Sequence, residues 1–516
     1  MEARWRHRTG TSSGDWLRVD ADTPRDVLAT ASSARSTQIV ADAFVEAYVD
    51  EQRPGERRTS PRRADRHRAD PSADIRPFHL HRHLLLISDA GAIMKTRRYA
   101  AVVSALTAVT LAAACSSGTN ATSSSGGGDN KTLTLASVDQ GSIEDVVKAF
   151  EAANPGVQVT FTTSGADQYQ QQIRTQLSSG TAPDVMTVWP GNGNPGATYV
   201  LAKPGYLLDL SDQPWAAKLP DAFKTVAQYE GKTYNALFGL NGIGAVYNDA
   251  ALTKSGLTAP TTWTQLLAFC RDAAGKGTPA FALGIQDNWV TQLVLYALAA
   301  TTVFGADKDF NAKLVAGQTT FAGSQWTTAM AKYQEMAKAG CFQKNPLGTS
   351  YEASQTLAAT GKTLGIIQGN WIVGLLKGKN PQGEFTMKAL PATDDPATFL
   401  MPAAAGAGYG VNAKAKNKDL ALKFITYIMS PAGMKVFTEK QGSLPTLPDA
   451  GTTVDPGLAE LTTFVKDNRT VPFMDQLWPN AKVQQSMLSG LQEVFSNQAT
   501  GDEVLKEMDT EYKKGE

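Results

Sequence analysis

The 516-residue sequence predicts an α/β fold divided between two lobes. Three observations carry that reading. Strand-like and helix-like apolar patterns alternate between residues 132 and 188. The chain after residue 114 has roughly 400 residues, more than one hydrophobic core usually organises. A strand and an amphipathic helix then return near Val411 to Ile428, after a long middle section of helical pattern.

In chain order, Thr132-Leu133-Thr134-Leu135 alternates as a strand, and Ser142 with Asp145 three positions later resembles a capping box. Ile143, Val146, Val147 and Phe150 fall on one helical face, which ends at Asn154-Pro155-Gly156. Val157, Val159 and Phe161 alternate as the next strand, a helical stretch runs near Tyr169 to Leu177, and Asp184 to Val188 is an apolar strand after a turn at Ala182-Pro183. Strand, helix, strand, helix, strand is the pattern of a largely parallel sheet, which binds ligands at the carboxyl ends of its strands. Trp189, Asn192 and Asn194 stand at such an end. From about Asn241 to Gly383 the pattern is mostly helical. Ala389-Leu390-Pro391 then leads to a Gly-rich segment, Val411, and a helix whose apolar face is Ala421, Phe424, Ile425 and Ile428.

The N-terminal portion reads differently. From Met94, a Lys/Arg-bearing start is followed by a small and apolar run from Ala100 to Ala114 and then Cys115. This is the layout of a secretory signal peptide, with a run too short for the roughly 20 residues of a spanning helix. Ala112, Ala113 and Ala114 before Cys115 resemble the bacterial lipobox, with Leu111 one position further from the cysteine than the commonest pattern. Residues 94–114 are therefore read as a lipoprotein signal peptide. Cys115 is the expected lipidation point, holding the protein to the outer face of the membrane by acyl chains alone. Residues 1–93 hold all five histidines and fifteen of the twenty arginines but no lysine, without sustained apolar periodicity. They are expected to be untranslated, with translation starting at Met94, or else a disordered extension. Residues 115–130 are, after Cys115, mostly Ser, Gly, Thr and Asn, the composition of a flexible tether.

After residue 114 there are 28 lysines and 3 arginines against 35 acidic residues, which leaves no electrostatic footprint for nucleic acid. No histidine remains, which removes Ser-His-Asp and Cys-His nucleophiles and His-ligated metals, so no metal and no cofactor is expected. Carboxylate-pair glycosidases survive that subtraction. Cys270 and Cys341 are an even pair in an oxidising compartment, read as a disulfide, with two buried free thiols as the alternative.

Several ordered segments resemble the family 1 extracellular solute-binding proteins, the maltose-binding-protein-like receptors of ABC sugar importers. They are Ala182-Pro183-Asp184-Val185 before Trp189, Gly231-Lys232-Thr233-Tyr234 running into Phe238-Gly239-Leu240-Asn241, Val246-Tyr247-Asn248, Pro260-Thr261-Thr262-Trp263, Gln368-Gly369-Asn370-Trp371 and Lys416-Asn417-Lys418-Asp419. The resemblance implies a type II periplasmic-binding-protein-like clamp, each lobe a sheet flanked by helices, with a hinge between them. It places lobe 1 at 131–238 plus 390–440 and lobe 2 at 239–389 plus 441–516, with crossings near Phe238 to Asn241, near Leu390 and near Gln441 to Pro445. It implies a monomer that carries a mono- or oligosaccharide to ABC permease subunits, without catalysis. A sugar presents hydroxyl edges and apolar C–H faces, so its site needs flat aromatic platforms with amides and carboxylates between them. The candidate binding residues are Gln140, Trp189, Asn192, Asn241, Trp289, Asn370, Trp371, Tyr409 and Trp478, while Trp215, Trp263 and Trp326 are read as packing. Gln140 and Asn241 stand where relatives carry charged groups, so a cleft that grips a neutral sugar with amides is expected. The alternatives are a lipid-anchored glycoside hydrolase using Asp184 or Asp287, and a sugar-sensing surface receptor.

Overall fold

A computed structural model of the chain describes residues 131–139, 141–447 and 451–515. Residues 1–130, with the expected signal peptide, the expected tether and Cys115, lie outside the described residues, as does Gln140.

Along the chain come β1 (Thr132–Ser137), β2 (Gln158–Thr163) and β3 (Val185–Val188), then a small hairpin of β4 (Gln228–Tyr229) and β5 (Lys232–Thr233). The long β6 (Gly239–Asn248) precedes β7 (Phe281–Ala282), β8 (Gly365–Gly369) and β9 (Phe385–Lys388). Last are β10 (Met401–Ala405), β11 (Gly408–Val411), β12 (Leu444–Pro445) and β13 (Thr470–Val471). They assemble into two sheets besides the hairpin. The first has the order β11-β3-β1-β2; its first three strands in sequence run parallel, and β11 returns antiparallel against β3. The second has the order β13-β10-β6-β8-β7, with β9 and β12 also pairing β6.

Helices cover both faces of the first sheet, which is why its inner strand β3 is buried along its whole length. In the first lobe, Leu133, Leu135 and Val185 pack on one face against Ile143, Val146, Val147 and Phe150 of the helix Ser142–Ala153. Met186 and Val188 pack on the other against Tyr169, Ile173 and Leu177 of the helix Ala166–Ser179. The helix Ser142–Ala153 is capped by Gly141 and receives no side-chain cap, so Ser142 is its first residue rather than a capping-box residue.

The second lobe departs from the sequence reading at its start. The section expected to be mostly helical opens with the ten-residue β6, the central strand of its sheet. Gly239, Gly242 and Gly244 interrupt its apolar alternation, and neighbours on both edges supply the order that local propensity does not. Trp215, Trp263 and Trp326 are buried in the cores.

The passages between lobes set the site's geometry. One runs from Phe238, in the first core, into β6. A second takes the chain from β10, paired with β6, to β11, paired with β3, through Gly406 and Ala407. This corrects the crossing expected near Leu390: Leu390 packs in the second lobe's core, and residues 390–405 belong to that lobe because β10 completes its sheet. The third passage leaves the helix Pro431–Gln441 for β12, which pairs with β6 at Leu240 and Gly239.

Cys270, on the helix Trp263–Gly275, is joined to Cys341 in a disulfide. Closing a loop of this span stabilises a fold by about 4 kcal/mol in the chain-entropy model. Replacing both cysteines with alanine is therefore expected to lower the melting temperature by several degrees, read by calorimetry.

Candidate functional site

A cavity of about 480 Å³ lies where the two lobes and the second passage meet. The first lobe contributes the carboxyl ends of its strands and the turns that follow: Asp139 after β1, Asp167 and Gln170 at the start of the helix after β2, and Trp189 directly after β3. This is where a parallel sheet places its ligand, because the strand ends splay and the next helices begin there. The second lobe contributes Asn241, Asp287, Trp289, Tyr351 and Trp371, and the passage segments add Gly406 and Gln441.

Trp189, Trp289 and Trp371 are each partly exposed and supply three aromatic walls, one from the first lobe and two from the second. Trp189 leans on Tyr169 with ring centroids 5.7 Å apart, and Trp289 meets Tyr351 edge-on at 4.8 Å. Trp371 folds back over Gly369: a Cβ there would lie 1.9 Å from its ring. Only glycine at that end of β8 lets the indole lie where it does.

Five carboxylates, Asp139, Asp167, Asp287, Glu352 and Asp475, line the cavity beside the amides. Asp139 accepts from Gln441 Nε2 at 2.8 Å and from the Tyr409 hydroxyl at 3.3 Å. Burial pushes its carboxyl up to about 6, with those two hydrogen bonds opposing the shift. Asp475 is 8 % exposed and burial raises it likewise to about 6. Asp287 accepts from the backbone N–H of Tyr351 at 2.6 Å. Asp167 is raised by burial and then by the negative charge of Asp287 on the other lobe. Lys440 is the one basic residue lining the cavity among those described, and it lies 3.3 Å from Asp145. The site is therefore acidic, rich in acceptors for hydroxyl protons and unfavourable to anions. Asn241 adds a buried Oδ1 with no partner among the described residues, a group whose desolvation a ligand hydroxyl would offset.

Four candidates from the sequence do not line the cavity. Tyr409 is fully buried in the first core, stacked on Phe238 at 5.5 Å, with its hydroxyl 2.7 Å from Ser137 Oγ; it positions Asp139. Trp478 is 2 % exposed and packs edge-on against Phe321 and Tyr296, so its polar neighbours Asp475 and Gln476 face the cavity instead. Asn370 is fully buried, accepting from Gly242 N–H at 2.7 Å and donating to Gly442 carbonyl at 2.6 Å, which ties β6 to the third passage. Asn192 donates its amide to Pro479 carbonyl and joins the turn after β3 to the second lobe. Sequence reasoning missed Asp139, Asp167, Gln441 and Asp475. The strand-end rule would have found the first, one residue before the Gln140 that was chosen.

Asp139 and Asp475 give the protein a pH signature. Their folded pKa values lie above the unfolded value of 3.8, so the fold binds more protons than the unfolded chain between about pH 4 and 6. Their contribution to stability is fully present at low pH and is lost as pH rises through 6. Asp475→Asn is expected to raise the melting temperature at pH 7.5 more than at pH 5, read by thermal melts across that range.

The sequence model of the bacterial extracellular solute-binding proteins matches residues 136–435. The chain belongs to that family. Among curated solute-binding relatives, the maltooligosaccharide ABC transporter solute-binding lipoprotein of Streptococcus pneumoniae (TIGR4) is 29% identical over 409 residues, covering 75% of this chain and 91% of its own. The multiple sugar-binding protein of Streptococcus mutans is 23% identical over 340 residues, 65% of this chain and 79% of the relative. Among solved structures, a chitin oligosaccharide binding protein superposes with a TM-score of 0.63 at 20% identity, covering 74% of this chain and 98% of that one. Solute-binding proteins of this fold are two-lobed, as the two sheets and three passages are here.

Proposed function

We propose that this solute-binding protein captures a neutral sugar between its lobes and delivers it to the membrane subunits of an ABC importer, held to the outer face of the membrane through an acylated Cys115. The observation that carries the reading is the cavity itself. Tryptophan faces from both lobes flank carboxylates and amides, the complement of a pyranose with its apolar faces and hydroxyl rim. The named ligands of the relatives, maltooligosaccharides and chitin oligosaccharides, support the same class. The excess of carboxylates favours neutral sugars over sugar phosphates and uronic acids.

The hydrolase alternative loses its first candidate to geometry. Asp184 is buried away from the cavity, accepting from Thr134 N–H and Oγ1 and from Lys416 N–H, so it fastens β1 to the turn before the helix Lys418–Ile428. Asp287 is held by the Tyr351 N–H on the cavity wall, where hydrogen bonding to a ligand needs no chemistry.

A ligand that binds only the folded state raises the melting temperature with its concentration over its dissociation constant. Thermal melts against neutral oligosaccharides, sugar phosphates, uronic acids and amino acids test the reading. A saturable rise with neutral sugars alone is expected; a rise with anions or amino acids and none with sugars would refute it.

A further inference from the structure

The chain after residue 114 is acidic, yet the stretch from Val411 to Ile428 carries Lys414, Lys416, Lys418 and Lys423 against Asp419 alone. Lys414, Lys416 and Lys418 are exposed, and the residues between them are half-buried, Ala415 against the first lobe's core. Polar side chains hold that alternation in place. Asn412 donates its amide to the carbonyls of Ala182 and Pro183, both at 3.2 Å, and accepts from the Lys414 N–H at 2.9 Å. Asp184 accepts from the Lys416 N–H at 2.8 Å with one oxygen and from Thr134 with the other. The buried carboxylate beneath the lysines is therefore engaged by backbone and hydroxyl groups. Among the described residues, no ion pair joins any of the three ammonium groups to a carboxylate.

The position of this cluster in the fold decides what it meets. Val411 pairs with Val185, the first residue of β3, so the stretch continues past the amino end of that strand. β1 runs parallel to β3, and Lys131, exposed and likewise without an ion pair among the described residues, immediately precedes it. The lysines thus gather at the amino pole of the first sheet, whereas the cavity lies at its carboxyl end. The acidic groups near this pole are the exposed Asp419 beside Lys418, and Glu151, which accepts from the Val159 N–H at 2.7 Å. The same pole is where the chain enters the fold: residues 115–130 join Cys115 to Lys131. A Gly/Ser-rich chain of that length has a root-mean-square span of about 20–25 Å. An acylated Cys115 would therefore bring this pole repeatedly within the roughly 10 Å over which a charged surface is felt at moderate salt.

Resting on the Cys115 anchor proposed above, we propose that Lys131, Lys414, Lys416 and Lys418 dock the first lobe on the anionic phospholipid headgroups around that anchor. Lysines are compact charges on flexible stems, and these four line no pocket, which suits a diffuse surface of phosphates rather than a single bound anion. Docked in this way, the amino pole faces the bilayer and the cavity opens toward the medium, from which the sugar arrives. Delivery to the membrane subunits then requires the lobe to release the headgroups.

Cosedimentation of the chain from residue 115, with Cys115→Ser so that no acyl chain contributes, tests the docking face. The vesicles are phosphatidylcholine alone and an equimolar mixture of phosphatidylcholine and phosphatidylglycerol. Binding to the mixture that weakens with added salt, and none to phosphatidylcholine alone, is expected. Lys414→Gln/Lys416→Gln/Lys418→Gln is expected to lower partitioning onto the mixture by at least about tenfold. Lys254→Gln/Lys344→Gln/Lys362→Gln, the same charge change on exposed lysines of the second lobe, is expected to leave it unchanged. No preference for the anionic vesicles, or an equal loss in both variants, overturns the docking face. Binding of soluble polyphosphate without binding to vesicles overturns the membrane as its occupant. The mass of the protein extracted from cells reads the anchor separately: an unmodified Cys115 refutes the anchor whatever the vesicles show, so the two failures are told apart.

Discussion

Replacing Trp189 and Trp371 together with alanine is expected to abolish measurable sugar binding in a protein that still folds. The two indoles line the cavity from opposite lobes, so on the proposed reading each would serve binding and closure at once. A buried tryptophan anchor typically contributes about 2 kcal/mol or more to an interface, and removing two lowers affinity by about a thousandfold. The single variants are expected to lose about thirtyfold each, with tryptophan fluorescence titration as the readout. Trp371 also packs against the second lobe's core, so the melting temperature of the free variant is measured alongside; Trp371→Leu retains apolar bulk while removing the flat face. Affinity unchanged in the double variant would place the ligand elsewhere.

Gly191→Val is expected to weaken binding by at least about tenfold without touching the cavity's own side chains. Gly191 sits in the turn after β3 at φ +71°, and a Cβ there would lie 1.9 Å from the Gln476 carbonyl oxygen of the second lobe. The same contact carries the hydrogen bond from Asn192 N–H to Gln476 carbonyl at 3.1 Å, and Gln476 Nε2 in turn donates to Ala405 carbonyl at the second passage. A valine costs about 1–2 kcal/mol for its left-handed backbone and must displace one segment from the other. The turn bearing Trp189 would then move relative to Asp475 and Gln476, so the aromatic wall and the acceptors would no longer face one ligand. Ligand affinity and small-angle scattering of the free and sugar-loaded protein report the effect. Wild-type affinity in Gly191→Val would mean that the turn and the second lobe move freely past each other.

The parts of this protein that were legible in its sequence are those where one local pattern had one outcome. The helix Ser142–Ala153 declares itself because Ile143, Val146, Val147 and Phe150 meet one core, and Trp189 because the strand before it is apolar but for Thr187. β6 was illegible because its glycines and small side chains have no period, and its strand state is imposed by β8, β9, β10 and β12 around it. The crossing at Gly406 and Ala407 was misplaced for the same reason: only the pairing of β10 with β6 and of β11 with β3 reveals where the chain changes sheet. Polar flanks were a poor guide to tryptophans. Trp371 and Trp478 both have them, and the 3₁₀ turn Met474–Leu477 sends Asp475 and Gln476 to the cavity and Trp478 to the core. The acidic character of the site was hidden because Asp139, Asp167, Asp287 and Asp475 are far apart in sequence and converge only through both lobes.

Hydrogen exchange with and without a saturating neutral oligosaccharide tests the central claim most directly. The account predicts slowed exchange in both lobes at once, in the backbone after β1 and β3, at the start of the helix Ala166–Ser179, around Trp289 and Tyr351, and around Trp371 and Asp475. Protection confined to one lobe, or lying away from these segments, would contradict a ligand held between them.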